Sequence, residues 1–387
     1  MTFPLSPIMM TDPAGKDFAL GLTEMTPLTI ILILPRRGRL WIGLGAIVLA
    51  LPLLTLLFTQ ELLNPPASQA ATRTRPQSGK DLQEPPQPVP PAAASSLLKK
   101  NTVFAVYGRA FGRAPILGHL GTYKDLDMMA ADIPQWTEPI KKYNNGKSVV
   151  PGIHLIYAMA APCQERPDCL NYLEGAVHSL ADDYIKPAAA RGWVVILDTQ
   201  LGRSNPVAQV NRMIEKGYLK YDNVHVAIDP EFHLYPDKTS PGVPIGTVEA
   251  SQINEVQKIL DDYVKAQGLK TKKILIVHQF GDENIHDGVP FMIEHKKDLR
   301  TFENVELVAD MDGLGTPQLK IWKYNRIADP RVYPVLEYRA IKVFYPNQWE
   351  KAGHYDKPPM TIEQLFGVVP AFGRLRAIAK PNVVIIA

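Results

Sequence analysis

Two acidic residues at the end of one predicted strand are the clearest candidates for chemistry in this sequence. The segment VHVAIDPEF, residues 224–232, is apolar until it reaches Asp229 and Glu231. Side chains alternate along a strand, so both carboxylates are expected on the same side, with Pro230 between them. Such a pair costs desolvation and mutual repulsion, which indicates that the protein uses it.

Polar residues also lie at the ends of several other predicted strands. Five of the eight predicted strands carry Asp, Glu or His near the end, which favours one shared polar site. His225 lies deeper in its strand and is predicted to be a hydrogen-bonded core histidine. In chain order, the remaining strand-end candidates are Tyr107, His154, Asp198, Gln200, Arg203, His278, Gln279, Asp310, Asp312 and Tyr345.

The elements that must position these residues alternate between strand-like and helix-like segments. Strands are predicted at Val103–Gly108, Val149–Met159, Trp193–Gln200, Val224–Phe232, Lys273–Phe280, Val305–Gly313, Ile341–Tyr345 and Asn382–Ile386. Helices are predicted at Lys124–Tyr143, Cys169–Arg191, Pro206–Tyr218, Val248–Gln267, Pro290–Phe302, Pro317–Ile327 and Thr361–Val368.

This alternation predicts an α/β fold, a (β/α)8 TIM barrel over residues 99–387. The strands are almost continuously apolar, which is typical of parallel strands covered on both faces. A doubly wound open sheet is the alternative, but no Gly-rich phosphate loop follows the first strand. In a TIM barrel the C-terminal strand ends form the active site.

Glycoside hydrolysis is the first chemistry that suits these residues, because it needs a carboxylic acid and a second carboxylate. Glu231 is the predicted proton donor, with its pKa raised by neighbouring carboxylates, and Asp229 is predicted to assist. Asp198 and Asp310 complete the predicted catalytic set. Residues predicted to bind the substrate are Tyr107, His154, Gln200, Arg203, His278, Gln279, Asp312 and Tyr345.

Two other kinds of function remain open at this stage. Asp198, Glu231, His278, Asp310 and Asp312 could converge as ligands of a divalent metal, although no cofactor is assigned and no H-x-H pair is present on the first strand. The same polar residues could instead bind a carbohydrate or another envelope component without turnover.

The N-terminal quarter of the sequence predicts a membrane protein. Residues 40–63 are predicted to be a transmembrane signal anchor, because Leu40–Phe58 is 19 residues without a charge and follows three arginines. Residues 1–39 are predicted to be a cytoplasmic leader. Residues 64–98 are predicted to be a disordered Pro/Ala-rich linker, with eight prolines between positions 64 and 96.

These segments predict a single-pass protein of the cell membrane whose barrel lies outside the cytoplasm. The competing interpretation is a cleaved signal peptide, since ASQAA at 67–71 offers a peptidase small residues, and the protein would then be secreted. The net charge of +3 is too small to indicate a nucleic-acid partner. Cys163 and Cys169 predict a disulfide in an oxidising compartment, and two unpaired thiols are the alternative.

The motifs LGHLG, ILDTQLGR, IDPEF, VHQF and DMDGLGTP lie between residues 117 and 317. Together they resemble an uncharacterised family of exported bacterial (β/α)8-barrel proteins, which implies a fold and a cell-envelope location. More distantly, the D-x-E of Asp229 and Glu231 resembles glycoside hydrolases of the chitinase and muramidase type. That resemblance implies that Glu231 donates the proton. The chitinase pattern has aspartates where this sequence has Val224 and Ala227.

Overall fold

The computed structural model describes residues 9–11, 17–19, 93–112, 118–163, 166–346 and 354–387. The chain divides into two units, residues 1–83 and residues 84–387. In the first unit, Met9–Thr11 pairs antiparallel with Asp17–Ala19. The predicted anchor at 40–63 and the predicted linker up to residue 92 lie outside the described residues. Among those described, no helix is both long enough and apolar enough to cross a membrane.

In the second unit, eight parallel strands close into a barrel, which confirms the predicted TIM-barrel fold. The last strand pairs with the first through Val383 and Val103, and the first pairs with the second. The strands are β1 Asn101–Gly108, β2 Ser148–Ala160, β3 Val194–Thr199, β4 Val224–Ile228, β5 Lys273–Gln279, β6 Val305–Met311, β7 Tyr338–Val343 and β8 Val383–Ile386.

Six α-helical segments lie among the described residues of the barrel unit. Four of them begin at a residue whose side chain accepts a hydrogen bond from the backbone of the first turn, as N-caps do. The helices are α1 Leu126–Tyr143, α2 Lys186–Ala190, α3 Pro206–Glu215, α4 Ala250–Gln267, α5 Pro317–Ile327 and α6 Ile362–Leu365.

The predicted helix at Cys169–Arg191 is mostly wrong. Its first part is a short strand, Leu170–Tyr172, which pairs antiparallel with β2, and only Lys186–Ala190 is α-helical. Cys169 forms a disulfide with Cys163 and has a left-handed φ of 56°. This backbone conformation is incompatible with a right-handed helix starting at that residue.

The predicted helix at Pro290–Phe302 is also wrong. This segment contains the strand Ile293–Glu294, parallel to Val248–Glu249, and a single 3-10 turn. Lys296 is 1% exposed and forms an ion pair with the buried carboxylate of Asp282. Burying that charge needs the paired geometry, so the tertiary contact determines the backbone path here.

The apolar core has two layers that follow strand alternation. In β4, Val224, Val226 and Ile228 pack toward the helices, whereas Ala227 packs inside the barrel. His225 also points inward, and its Nδ1 accepts a hydrogen bond from the backbone N–H of Ile274 at 3.1 Å. It is therefore the core histidine that the sequence predicts.

Residues just before β1 pack against the barrel unit. Leu98 is fully buried in the interior cluster, and Ser95 forms a parallel bridge with Thr271. The backbone N–H groups of Leu97 and Leu98 donate to the carboxylate of Glu306 on β6. These contacts tie residues 95–98, at the end of the predicted linker, to the folded unit.

Truncating a side chain inside the barrel tests this packing. We expect Ile196→Ala, at a fully buried interior position of β3, to lower the free energy of unfolding by about 2–5 kcal/mol, because it leaves a cavity. Ile378 is 55% exposed, so Ile378→Ala should change it by less than about 0.5 kcal/mol. Denaturant unfolding measures both, and equal losses would contradict the interior placement of Ile196.

Candidate functional site

A cavity of about 280 Å³ lies at the C-terminal ends of the strands. Polar and aromatic side chains from several different strands meet around it, as at the mouths of TIM barrels that bind ligands. The lining residues are Tyr107, Gln200, Asp229, Glu231, Phe232, Phe280, Met311, Asp312, Gly313, Leu314, Lys323, Lys342 and Phe344.

Glu231 lies in a turn after β4, so strand alternation does not determine its position at the cavity. β4 ends at Ile228, and Pro230–Phe232 forms a 3-10 turn. The carboxylate of Asp229 caps this turn by accepting a hydrogen bond from the backbone N–H of Glu231 at 3.2 Å. The two acids therefore line one cavity, as predicted, but a capped turn places the second of them.

The environment of these two acids favours their protonated forms. Burial, followed by the nearby charge of Asp312, raises the pKa of Glu231 from 4.5 to about 7. Burial also raises the pKa of Asp229 well above its usual value, and the charge of Asp198 adds to the effect. Glu231 thus titrates near neutral pH while facing the cavity.

Asp312 and Lys342 form an ion pair that faces the same cavity. Their Oδ2 and Nζ atoms are 2.9 Å apart, and both side chains are at least 93% buried. Burial raises the pKa of Asp312, but Lys342 and His278 outweigh it and hold that pKa below its usual value. Nζ of Lys342 also lies 3.6 Å from the ring centroid of Tyr107, a cation–π contact.

Four polar residues whose side chains do not line the cavity converge inside the barrel. His154, Asp198, His278 and Asp310 are each fully buried. Nδ1 of His278 lies 2.6 Å from Oδ2 of Asp310, while Nε2 of His278 lies 3.5 Å from Oδ2 of Asp198. Nε2 of His154 lies 3.6 Å from the same Asp198 oxygen and 3.3 Å from Nε2 of His278.

The two histidines respond differently to this environment. Burial lowers the pKa of His154, and the nearby carboxylate of Asp198 only partly opposes that effect. Burial also lowers the pKa of His278, but Asp198 and Asp310 together outweigh it and raise the pKa well above its usual value. In return, the histidines hold the pKa of Asp198 below its usual value despite its burial.

Besides His154, Asp198, His278 and Asp310, three more predicted site residues do not line this cavity. Arg203 is exposed, and its guanidinium donates to the backbone carbonyl of Lys238. Gln279 accepts a hydrogen bond from Lys296 through its side-chain oxygen. The hydroxyl of Tyr345 donates to the carbonyl of Met360. Gln200, by contrast, lines the cavity while its side-chain oxygen accepts from the N–H of Ala160.

Sequence reasoning missed Lys342 and the aromatic residues Phe232, Phe280 and Phe344. The signal for Lys342 was present, because it is a lysine within the apolar segment IKVF at the position between two outward-facing residues, Ile341 and Val343. The phenylalanines carry no such signal, since an aromatic residue near a strand end is equally typical of core packing.

No protein-family model matches the sequence, and the search of curated proteins found no match. Among solved structures, GH26C from Muricauda sp. MAR_2010_75 is similar at a TM-score of 0.32 and 10% sequence identity. The similarity covers 75% of this chain and 80% of that chain. The assignment of the barrel rests on the strand pairing described above.

The raised pKa of Glu231 predicts a pH-dependent stability. The folded protein holds this proton more tightly than the unfolded chain, so the free energy of unfolding should fall as pH rises from about 4.5 to about 7. The loss attributable to this group is roughly 3 kcal/mol. Glu231→Gln cannot ionise, and we therefore expect it to be more stable than the wild type at pH 8 and nearly equal to it below pH 4.5.

Denaturant unfolding across this pH range measures the effect, with Glu215→Gln as the control at an exposed glutamate. The control should follow the wild-type pH profile. A Glu231→Gln profile parallel to that of the wild type would contradict the raised pKa.

Proposed function

We propose that the domain hydrolyses a glycosidic bond in a carbohydrate, with Glu231 as the general acid. The observation that carries the proposal is a largely buried glutamate with a pKa of about 7 that faces a cavity of about 280 Å³ at the barrel mouth. A carboxylic acid of this pKa remains substantially protonated near neutral pH and can protonate a leaving oxygen.

Asp312 is the carboxylate that we assign to the second role. It lines the same cavity as Glu231, and its ion pair with Lys342 keeps it charged. A fixed negative charge at this position can stabilise the positive charge that develops on the sugar ring, or act as a base toward water. Asp229 positions the acid, because its carboxylate caps the turn that contains Glu231.

The aromatic side chains around the cavity suit a sugar ring. Tyr107, Phe232, Phe280 and Phe344 contribute apolar faces next to the charged groups. Mixed apolar and polar linings of this kind are typical of small-molecule sites. Asp198 and Asp310 are not among the lining residues, so we assign neither of them to contact with substrate. Asp310 instead positions His278 through its contact with Nδ1.

Removing the acid tests the proposal. We expect Glu231→Gln to lower kcat on a responsive polysaccharide by about 10²–10⁴-fold, because Gln cannot supply the proton. The wild-type rate should fall as pH rises through about 7, where Glu231 loses its proton. Release of reducing ends from a panel of polysaccharides measures both.

Glu215→Gln is the matched control, since it makes the same change at an exposed position on α3 and should keep wild-type turnover. Full activity of Glu231→Gln would exclude this residue as the acid. Saturable glycan binding with no bond cleavage would instead identify a carbohydrate-binding module.

We also propose that the barrel works outside the cytoplasm, anchored by residues 40–63. The support is the charge-free run Leu40–Phe58 behind three arginines, together with a Cys163–Cys169 disulfide, a bond that persists in oxidising compartments. The anchor would place the barrel at the cell surface, within reach of envelope or extracellular carbohydrate.

Protease treatment of intact bacterial cells that express the full chain tests this location. We expect the barrel to be accessible to the protease and to remain in the membrane fraction. An N-terminus at residues 67–71 in the mature protein would instead show a cleaved signal peptide and a secreted domain. A protected barrel with reduced Cys163 and Cys169 would contradict export.

A further inference from the structure

Three buried side-chain atoms that can bind a metal lie within 3.6 Å of one another inside the barrel. They are Nε2 of His154 on β2, Oδ2 of Asp198 on β3 and Nε2 of His278 on β5. The edges of this triangle measure 3.3, 3.5 and 3.6 Å. All three side chains are fully buried.

These separations are close to those of three of the four ligands in a tetrahedral metal centre, where water is the usual fourth ligand when the protein supplies three. Zn²⁺ with ligand distances of about 2.0–2.1 Å separates neighbouring ligand atoms by about 3.3–3.4 Å. Two imidazole nitrogens and one carboxylate oxygen are also a known three-ligand set for zinc. Neither the donor types nor their spacing requires any side chain to move.

Hydrogen bonding alone describes the triangle less well. Charge-assisted hydrogen bonds between an imidazolium and a carboxylate have lengths of about 2.7–2.9 Å. Both distances from Asp198 to the histidines are longer than this, and neither oxygen of Asp198 has a hydrogen-bond partner among the described residues. A fully buried carboxylate that has only these two long contacts is costly, and a bound cation would give it a close partner.

Asp310 orients one of the donors. Its Oδ2 lies 2.6 Å from Nδ1 of His278, and a carboxylate can only accept, so Nδ1 carries the proton. In the neutral ring, which is the form that binds a metal, Nε2 then carries the lone pair and lies 3.5 Å from Asp198 and 3.3 Å from His154. A carboxylate behind a metal-binding histidine in this way is the usual arrangement in zinc sites.

We propose that His154, Asp198 and His278 bind one divalent cation of the Zn²⁺ type, with Asp310 as the positioning residue of His278. None of the three donors lines the cavity, so the cation lies apart from the surface that meets substrate. The site goes beyond the proposed glycoside hydrolysis and does not depend on it. Because the site is closed, metal enters as the protein folds.

Metal content after refolding tests the site. The full chain, with its disulfide intact, is unfolded in denaturant with a chelator, then refolded with ZnCl₂, with CoCl₂ or without metal, and desalted. We expect about one metal per chain, a higher unfolding midpoint with metal, and the intense visible absorption of tetrahedral Co²⁺. Folded protein that retains no metal, or Co²⁺ without the tetrahedral spectrum, would overturn the proposal.

Variants locate the cation. We expect His154→Gln and Asp198→Asn to lose stoichiometric binding, and Asp310→Asn to weaken it by about 10–100-fold. His295→Gln, at an exposed histidine paired with Glu249, is the control and should bind as the wild type does. Metal that persists in both folded ligand variants would place it elsewhere and overturn the assignment. Glu231→Gln should keep the metal, so the result is independent of the acid assignment.

Discussion

Charge compensation inside the barrel is the constraint on which the rest of this structure depends. His278 lies between Asp198 and Asp310, and its strand register places it directly beside Asp310. An unpaired charge at such depth would be severely destabilising. The strands that carry these residues must therefore keep their register, because a slip of one residue would turn each charge away from its partner.

The polar interior also explains how one barrel mouth holds two carboxylic groups in different protonation states. Asp312 remains charged because Lys342 extends from β7 to meet it. Burial, followed by the negative charge of Asp312, raises the pKa of Glu231 to about 7. Burial and the neighbouring charges therefore set the pKa of this acid.

The sequence predicts the strands well and the connections less well. Apolar runs such as Val224–Ile228 identify strands buried on both faces, and alternation correctly places Ala227 and Asp229 toward the interior. The failures come from long-range contacts. A disulfide at Cys169 and the buried ion pair of Lys296 determine backbone paths that local helical periodicity cannot reveal. For the same reason, the sequence alone could not predict the contact between His154 and His278, which are 124 residues apart in the chain.

The residue at the end of β7 limits the chemistry available at the cavity. Lys342, near the end of this strand, is already paired with Asp312, and β7 supplies no carboxylate to the described cavity lining. The carboxylates at the described cavity lining come from the segment after β4 and from the end of β6. Lys342 on β7 keeps Asp312 charged, and that charge adds to burial in raising the pKa of Glu231 to about 7. In the proposed hydrolysis, the acid and the second carboxylate are therefore Glu231, which follows β4, and Asp312, which follows β6.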